Sequence, residues 1–335
     1  MEAIDDNLLS NGYEPMKVIG KGSIGRAVLC KRLSDGIRVV VKQVNVSDLD
    51  ASAHAHAMQE VGILKALVHP NIIAYHDSFT CNGTLNIVMD YADGGDLNQF
   101  MYARAPRGGG GAGYLPEDLV LHIFAQLVCG LYFVHSNNIM HRDLKCANVL
   151  LTRSGIVKIA DFGVARVMSD GSDMAHTMIG TPYYLSPEMC DGRPYSKSSD
   201  VWAIGCILYE LVCLARPFEG RSLPALIMKI LAGDYPSPPS DFSPEIHRLI
   251  KDLLQTSPSS RPTLRALLSR PVLRSRIETF LLQQGERHLY QSARGTAAQF
   301  SPVYLCVLCD DVRRYIQPRD NETWWGAFGE GQRVC

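Results

Sequence analysis

Two short polar segments in the middle of the chain carry side chains suited to phosphoryl chemistry. They are His141-Arg142-Asp143-Leu144-Lys145-Cys146-Ala147-Asn148 and Asp161-Phe162-Gly163. Phosphoryl transfer requires an aligned hydroxyl, metal ions on the phosphates and positive charge, with little covalent help. Asp143 can accept the hydroxyl proton and Lys145 can neutralise the transferring group. Asn148 and Asp161 offer hard oxygens suited to Mg²⁺. The two segments together predict a phosphotransfer site.

The elements around these segments can bring them together. Val149–Leu151 follows the first segment and Val157–Ala160 precedes the second, with a turn at Ser154-Gly155 between them. Such apolar runs around a turn pair predict a short hairpin. A longer apolar period from Pro116 to Asn137 predicts a buried helix that leads the chain to His141.

A glycine-rich segment near the N-terminus could hold phosphates. It reads Ile19-Gly20-Lys21-Gly22-Ser23-Ile24-Gly25-Arg26-Ala27-Val28, within residues 13–46, where β-forming and turn residues alternate as in a small antiparallel sheet. Glycines allow backbone amides to approach phosphates closely, and Val28 could press on a bound base. Strand-like residues follow Gly25 directly, whereas a dinucleotide-binding unit would begin a helix there. Lys42, at the end of the next strand, is either a solvated edge charge or a phosphate ligand.

These segments resemble the motifs of eukaryotic protein kinases: the catalytic loop, the metal motif and the glycine-rich loop over the ATP phosphates. The resemblance implies an α+β, two-lobed protein-kinase fold, with a small, mainly antiparallel β N-lobe carrying a C-helix and a larger, mainly α-helical C-lobe. Residues 1–12 would form an N-terminal extension and 13–274 the kinase domain. The N-lobe would span 13–91 and the C-lobe 92–274, followed by a C-terminal tail at 275–335.

The resemblance also implies how the cofactors ATP and Mg²⁺ would be held. Glu60, in a segment with helical apolar spacing, is a surface glutamate by its chemistry alone, and the resemblance makes it the ion-pair partner of Lys42 in the active state. Met89 would be the gatekeeper before a hinge whose backbone bonds adenine. Val40 stands where the pattern usually has alanine, which narrows the pocket. The expected nucleotide-contacting residues are Ile19, Gly20, Lys21, Gly22, Ser23, Gly25, Val28, Val40, Lys42, Met89, Asp90 and Ala92.

Residues 161–188 have the size and content of a kinase activation segment. By resemblance, Thr177 is the activating phosphosite, because a phosphate there could pair with Arg142 and order the loop. Thr181 would hydrogen-bond around Asp143 and Lys145.

Three further residues would support the C-lobe by resemblance. Glu188 would form a buried ion pair with Arg261, and Asp200 would anchor the backbone of the catalytic loop.

The string GTPYYLSPE at 180–188, with HPNII at 69–73 and GGDL at 94–97, resembles the NIMA-related serine/threonine kinases. HRDLKCAN departs from the serine-glutamine usually found there between the lysine and the asparagine. In that subfamily a tyrosine can fold behind the nucleotide and inhibit the enzyme, and Tyr75 holds the corresponding position. The resemblance implies protein serines and threonines as acceptors and cytoskeletal or cell-cycle proteins as partners.

Composition narrows the class and the cellular setting. The formal net charge of −1 gives no electrostatic reason to expect nucleic-acid binding. We expect no secretory signal at Met1–Asp6, and no membrane span, because the apolar stretch Val201–Ala215 is too short and contains Glu210. The ten cysteines are scattered, which favours reduced thiols and a cytoplasmic location, with cytoskeletal or nuclear placement as alternatives.

The tail is the least informative region. Cys306 and Cys309 form one CxxC without a second pair, which is weak support for zinc. Val303–Leu308 could pack on the C-lobe, and Trp324-Trp325 could bind a partner.

The residues therefore predict a protein kinase that moves the γ-phosphoryl group of Mg·ATP to serine or threonine. The rival from another class is a catalytically silent kinase-fold scaffold that binds nucleotide or partner proteins. A third possibility, a small-molecule kinase, is disfavoured by the complete activation segment with its Gly180-Thr181-Pro182.

Overall fold

The computed structural model describes residues 6–21, 25–47, 58, 61–103, 113–162 and 182–280, and the account below concerns these residues.

The N-terminal part is a five-stranded antiparallel sheet in the order β1-β2-β3-β5-β4. Its strands are β1 Tyr13–Lys21, β2 Gly25–Arg32, β3 Arg38–Asn45, β4 Tyr75–Cys81 and β5 Thr84–Asp90. A short helix, α1 (Asp6–Ser10), packs beside β1, and residues 61–66 are helical (α2). The β4–β5 turn uses Asn82 and Gly83, both with positive φ, as an Asn-Gly hairpin turn requires. The predicted antiparallel sheet is confirmed.

The C-terminal part is mainly helical. Its helices are α3 Leu97–Tyr102, α4 Glu117–Ser136, α5 Pro187–Cys190, α6 Lys197–Cys213, α7 Leu223–Ala232, α8 Pro244–Leu253, α9 Leu264–Leu268 and α10, residues 271–280. The predicted hairpin is present as β6 (Val149–Leu151) and β7 (Val157–Ile159), and Gly155 in its turn has φ +84°. It lies directly after the catalytic loop and before Asp161.

Two central helices form the C-lobe core. Helix α4 is long and apolar enough to cross a membrane by length and composition alone, but two-thirds of that stretch is buried inside the protein. It is therefore the core helix that the apolar period predicted. Helix α6 starts with a capping box between Ser196 and Ser199 and buries Trp202 completely, stacked on Phe218.

The two lobes meet along β7. The Ile73 amide donates to the Ile159 carbonyl (2.9 Å), and the Ile159 amide donates to the Asn71 carbonyl (2.8 Å). The buried Asn71 side chain also donates to Gln126 of α4 and to the Val157 carbonyl, both at 3.0 Å. These bonds tie the segment before β4 to the C-lobe, so the sheet sits at a defined place above the catalytic loop. The α+β, two-lobed architecture is confirmed.

Candidate active site

The catalytic loop holds its polar side chains against one another. Lys145 Nζ donates to Asp143 Oδ2 at 2.8 Å. Asn148 Nδ2 donates to the same oxygen at 3.0 Å and to the Asp143 carbonyl at 2.8 Å. Because the amide nitrogen of Asn148 is used for these bonds, its Oδ1 is the atom suited to a metal. The loop thus fixes a carboxylate, an ammonium and an amide oxygen within one small volume.

Asp200 supports this loop from below, at the start of α6. It is fully buried and accepts bonds from the amides of His141 (3.0 Å) and Arg142 (3.2 Å), from His135 Nε2 (2.7 Å) and from the Tyr195 hydroxyl. Burial alone would raise the pKa of Asp200, but the bond from His135 and the other donors outweigh it and lower that pKa. An ionised Asp200 therefore anchors the loop backbone, where Arg142 has a positive φ of 67°.

His141 connects the catalytic loop to the metal motif. Its Nδ1 accepts from the Asp143 amide (3.3 Å), and its Nε2 donates to the Ala160 carbonyl (3.1 Å). Burial lowers the pKa of His141, so the ring is neutral, with its proton on Nε2. The ring also lies 4.7 Å from the ring of Phe162, centroid to centroid. This contact keeps Asp161 and Asp143 in a fixed relation.

Asp161 meets the N-lobe through Lys42. Lys42 Nζ lies 2.5 Å from Asp161 Oδ1. Burial would raise the pKa of Asp161, but the charge and hydrogen bond of Lys42, with smaller effects of His141 and Lys145, lower it. Asp161 also has a left-handed backbone (φ +61°), which costs a residue other than glycine about 1–3 kcal/mol and is concentrated at functional sites.

The sheet register identifies the side chains that face the cleft on the side of Lys42. Residues directly opposite each other in an antiparallel pair share a face. Ala27 lies opposite Lys42, and Val40 lies opposite Met89, so these four side chains belong to the cleft face. Val40 therefore does lie beside the gatekeeper position.

One expected contact is wrong. Val28 lies opposite Val41 on the other face, is 3% exposed, and packs in the core formed with Val39 and Val88. The physical reason is strand alternation, because neighbours along a strand point to opposite faces. Ala27 holds the position that the sequence reading assigned to Val28. Counting in steps of two along the strands from Lys42 would have found it.

The glycine-rich strand has a steric requirement that its sequence did not reveal. A Cβ on Gly25 would lie 1.9 Å from the Gln43 carbonyl oxygen, so only glycine lets β2 approach β3 there. Gly20 has ordinary space, with the nearest contact at 3.7 Å. Ile19 is 45% exposed at the cleft end of β1, and Lys21 ends that strand. Gly22 and Ser23 lie outside the described residues.

The hinge follows β5. Met89 and Asp90 end that strand, and Ala92 is buried just after it. The Asp90 amide donates to the Ala74 carbonyl at 2.9 Å, so that amide already has a partner within the protein. A purine could therefore be bonded only through other backbone groups of this segment.

The regulatory and supporting residues lie around this centre. Arg261 makes two bonds to Glu188, at 2.8 and 2.7 Å, and both side chains are almost completely buried. Tyr75, opposite Met89 in β4, donates its hydroxyl to Ser78 Oγ (2.8 Å), and Lys65 Nζ lies 5.2 Å from its ring centroid. The proposed contacts of Glu60, Thr177 and Thr181, and the tail segments at 303–308 and 324–325, fall outside the described residues.

The donor set suits a divalent metal bridged to phosphates. Within the described ranges, no three His, Cys, Asp or Glu side chains come together as a metal site. One carboxylate (Asp161) and one amide oxygen (Asn148) instead face the cleft. Mg²⁺ is usually held by one or two carboxylates together with substrate phosphates, which is the situation that these two residues offer.

A fold with these motifs in this arrangement defines a protein kinase, and comparison with known proteins agrees. The family profile described as "Protein kinase domain" matches residues 13–273. The chain belongs to the protein kinase family, in its NIMA-related branch.

Relatives of that branch cover most of the chain. Mouse serine/threonine-protein kinase Nek1 is 41% identical over 272 residues, 81% of this chain and 22% of Nek1. Human serine/threonine-protein kinase Nek5 is 42% identical over 271 residues, 80% of this chain and 37% of Nek5. Serine/threonine-protein kinase nekl-2 of Caenorhabditis elegans is 39% identical over 267 residues, 78% of this chain and 74% of nekl-2. The chain thus spans less than two-fifths of the length of Nek1 and Nek5, and about three-quarters of nekl-2. The predicted subfamily is confirmed. Membership implies ATP as a substrate and, typically, a divalent metal ion.

Proposed function

We propose that the chain is an active serine/threonine protein kinase that transfers the γ-phosphoryl group of Mg·ATP to hydroxyls of other proteins. The observation that supports this most directly is the arrangement of Asp143, Lys145 and Asn148 in one hydrogen-bonded group, with Lys42 and Asp161 paired beside it.

Asp143 would accept the proton of the acceptor hydroxyl. Its carboxylate receives bonds from Lys145 and Asn148, so it needs little reorientation before reaction, and preorganisation of this kind lowers the barrier. Lys145 would neutralise charge on the transferring phosphoryl group. When bound, Mg²⁺ would neutralise phosphate charge, and Asn148 Oδ1 and the Asp161 carboxylate would hold it.

The N-lobe would bind the nucleotide. Ala27, Val40 and Met89 share the cleft face with Lys42 and would enclose the base. Lys42 would contact the α- and β-phosphates, as this lysine does in kinases generally. Amides of the glycine-rich loop would approach the phosphates from above.

The regulation and cellular role are proposed by resemblance. Phosphorylation of Thr177 would switch the enzyme on through Arg142, and Glu60 would complete the active ion pair with Lys42. The substrates would be cell-cycle or cytoskeletal proteins. The location would be cytoplasmic, with cytoskeletal or nuclear placement as alternatives.

The deciding experiment measures phosphate transfer from labelled ATP to a generic basic protein by the purified full chain. Asp143→Asn should abolish transfer and leave nucleotide affinity nearly unchanged, because Asp143 aligns the acceptor. Asp241→Asn, an exposed carboxylate in a loop of the C-lobe, is the matched control and should behave as wild type.

Two results would count against the proposal. Equal transfer by wild type and Asp143→Asn would remove Asp143 from its role. Nucleotide binding without any transfer, after phosphorylation of the activation segment, would favour the silent scaffold. In a separate comparison, Thr177→Ala should strongly lower turnover, and an unchanged rate would remove Thr177 as the switch.

A further inference from the structure

The Asp90 side chain joins three elements at the rear of the cleft. Asp90 is the last residue of β5, where the chain passes into the hinge. His76 Nε2 of β4 donates to Asp90 Oδ1 at 2.7 Å. Lys158 Nζ of β7 lies 3.4 Å from Asp90 Oδ2. One carboxylate therefore binds a strand of the N-lobe with one oxygen and a strand of the C-lobe with the other.

The charges at this contact are complementary and partly shielded from water. The Lys158 side chain is only 15% exposed, and that of Asp90 is 34% exposed. Burial would raise the pKa of Asp90, but the hydrogen bond from His76 and the charge of Lys158 outweigh it, so that pKa is lowered. Asp90 is therefore ionised at neutral pH, and Lys158 faces a full negative charge.

The backbone makes the same junction rigid on one side. The Asp90 amide donates to Ala74, and the segment before β4 is bonded to β7 through Asn71, Ile73 and Ile159. Lys158 lies on β7 between those bonded positions, and β7 leads directly into Asp161. A displacement of the hinge relative to β7 would break the contact between Asp90 and Lys158.

We propose that the Asp90 side chain is a positioning residue that holds the hinge in register with the metal motif through Lys158 and His76. The hinge supplies backbone groups for the base, while Asp161 stands at the phosphate end. Both ends of one nucleotide can be bound at once only when their spacing is correct. Loss of the contact lowers the fraction of molecules with that spacing, and apparent nucleotide affinity falls in the same proportion.

This inference rests on the proposed function only in taking ATP as the ligand. The test therefore has two readouts on the full chain: the Kd of a fluorescent ADP analogue, and KM and kcat for ATP in phosphate transfer. Failure of the proposed function would appear as absent transfer in every variant. Failure of the positioning role would appear as unchanged nucleotide affinity, whether or not transfer occurs.

The variants are Asp90→Asn, Lys158→Met and the double variant, with Lys251→Met, an exposed lysine on α8, as control. Each single variant should raise the Kd and the KM by roughly 3- to 10-fold, as expected for loss of one charge-assisted bond, with little change in kcat. The double variant should be no worse than either single variant, because both remove the same contact. Asp90→Glu should restore part of the affinity.

The role is overturned if Lys158→Met binds nucleotide as the Lys251→Met control does, or if the two single effects simply add in the double variant. Melting temperatures separate this outcome from misfolding. Should Asp90→Asn fold poorly, Lys158→Met and Asp90→Glu still decide the question, because neither places an uncharged group in the position of the carboxylate.

Discussion

Lys42 of the N-lobe and Asp161 of the C-lobe are joined by a 2.5 Å contact between Nζ and Oδ1. These residues are separated by 119 positions in the chain, and each belongs to a different lobe. Their contact places the ammonium that would grip phosphate next to the carboxylate that would hold the metal. The distance between the lobes is therefore set at the point where a triphosphate would lie.

Lys42→Met should abolish most activity without unfolding the protein. The methionine retains the aliphatic stem but removes the charge that binds phosphate and lowers the pKa of Asp161. We expect turnover to fall by about 10²–10³-fold, as when one preorganised electrostatic donor is lost. The measurement is ATP-dependent phosphate transfer, with Lys251→Met as control. Wild-type turnover in Lys42→Met would contradict the assignment.

Arg261→Met should destabilise the C-lobe strongly. The Arg261 side chain is fully buried, and besides Glu188 it donates to the carbonyls of Ser198, Gln255 and Thr256. Its removal leaves the Glu188 carboxylate buried without its cation, which costs about 3–5 kcal/mol. Urea unfolding measures the loss. The control is Arg193→Met in the exposed pair with Asp191, which should cost less than about 1 kcal/mol. Similar losses in the two variants would contradict the role of burial.

Glu210 should make stability depend on pH. It is 6% exposed, and burial, opposed by the Tyr184 hydrogen bond and by Arg216, raises its pKa from 4.5 to about 7. The folded protein then binds more protons than the unfolded chain between these pKa values. The stability associated with Glu210 is therefore fully present below about pH 4.5 and is lost as the pH rises through about 7.

Glu210→Gln is the matching test, because glutamine stays neutral at every pH. The difference in unfolding free energy between Glu210→Gln and wild type should grow by about 2 kcal/mol in favour of the variant from about pH 5 to about pH 8. Urea unfolding at the two pH values gives the difference. A gap that does not change with pH would show that Glu210 titrates normally.

Asp200→Asn should impair catalysis more than nucleotide binding. Asparagine has one acceptor oxygen in place of two, so it cannot receive the amides of both His141 and Arg142 together with His135. We expect kcat to fall by at least about tenfold as the catalytic loop loosens, with nucleotide Kd changed by less than about threefold. Transfer kinetics and nucleotide titration separate the two effects, with Asp241→Asn as control. A larger change in Kd than in kcat would contradict this view of Asp200.

Local patterns in the chain were sufficient for much of this description. The hairpin around Gly155, the helix Glu117–Ser136 and the antiparallel N-terminal strands follow from periodicity and turn residues, which act over a few positions. The polar residues of the catalytic loop could be selected for the same reason, because they lie within one short segment. The order of the motifs along the chain was also enough to predict the family.

Other features depended on contacts between distant positions. The face occupied by Val28 depends on which residue of β3 lies opposite it, and that register placed Ala27 in the cleft instead. The need for glycine at position 25 comes from the carbonyl of Gln43 on the neighbouring strand. Propensity and spacing do not report such contacts.

The sequence by itself determined the chemistry available to this protein: which carboxylates, cations and glycines it has, and in which local elements they lie. Only the tertiary structure decided which of them meet, as Lys42 meets Asp161 and Asp90 meets both His76 and Lys158. The physical reason is that side-chain chemistry and local periodicity belong to short segments. Ion pairing and steric fit, in contrast, depend on distances that exist only when the whole chain has folded.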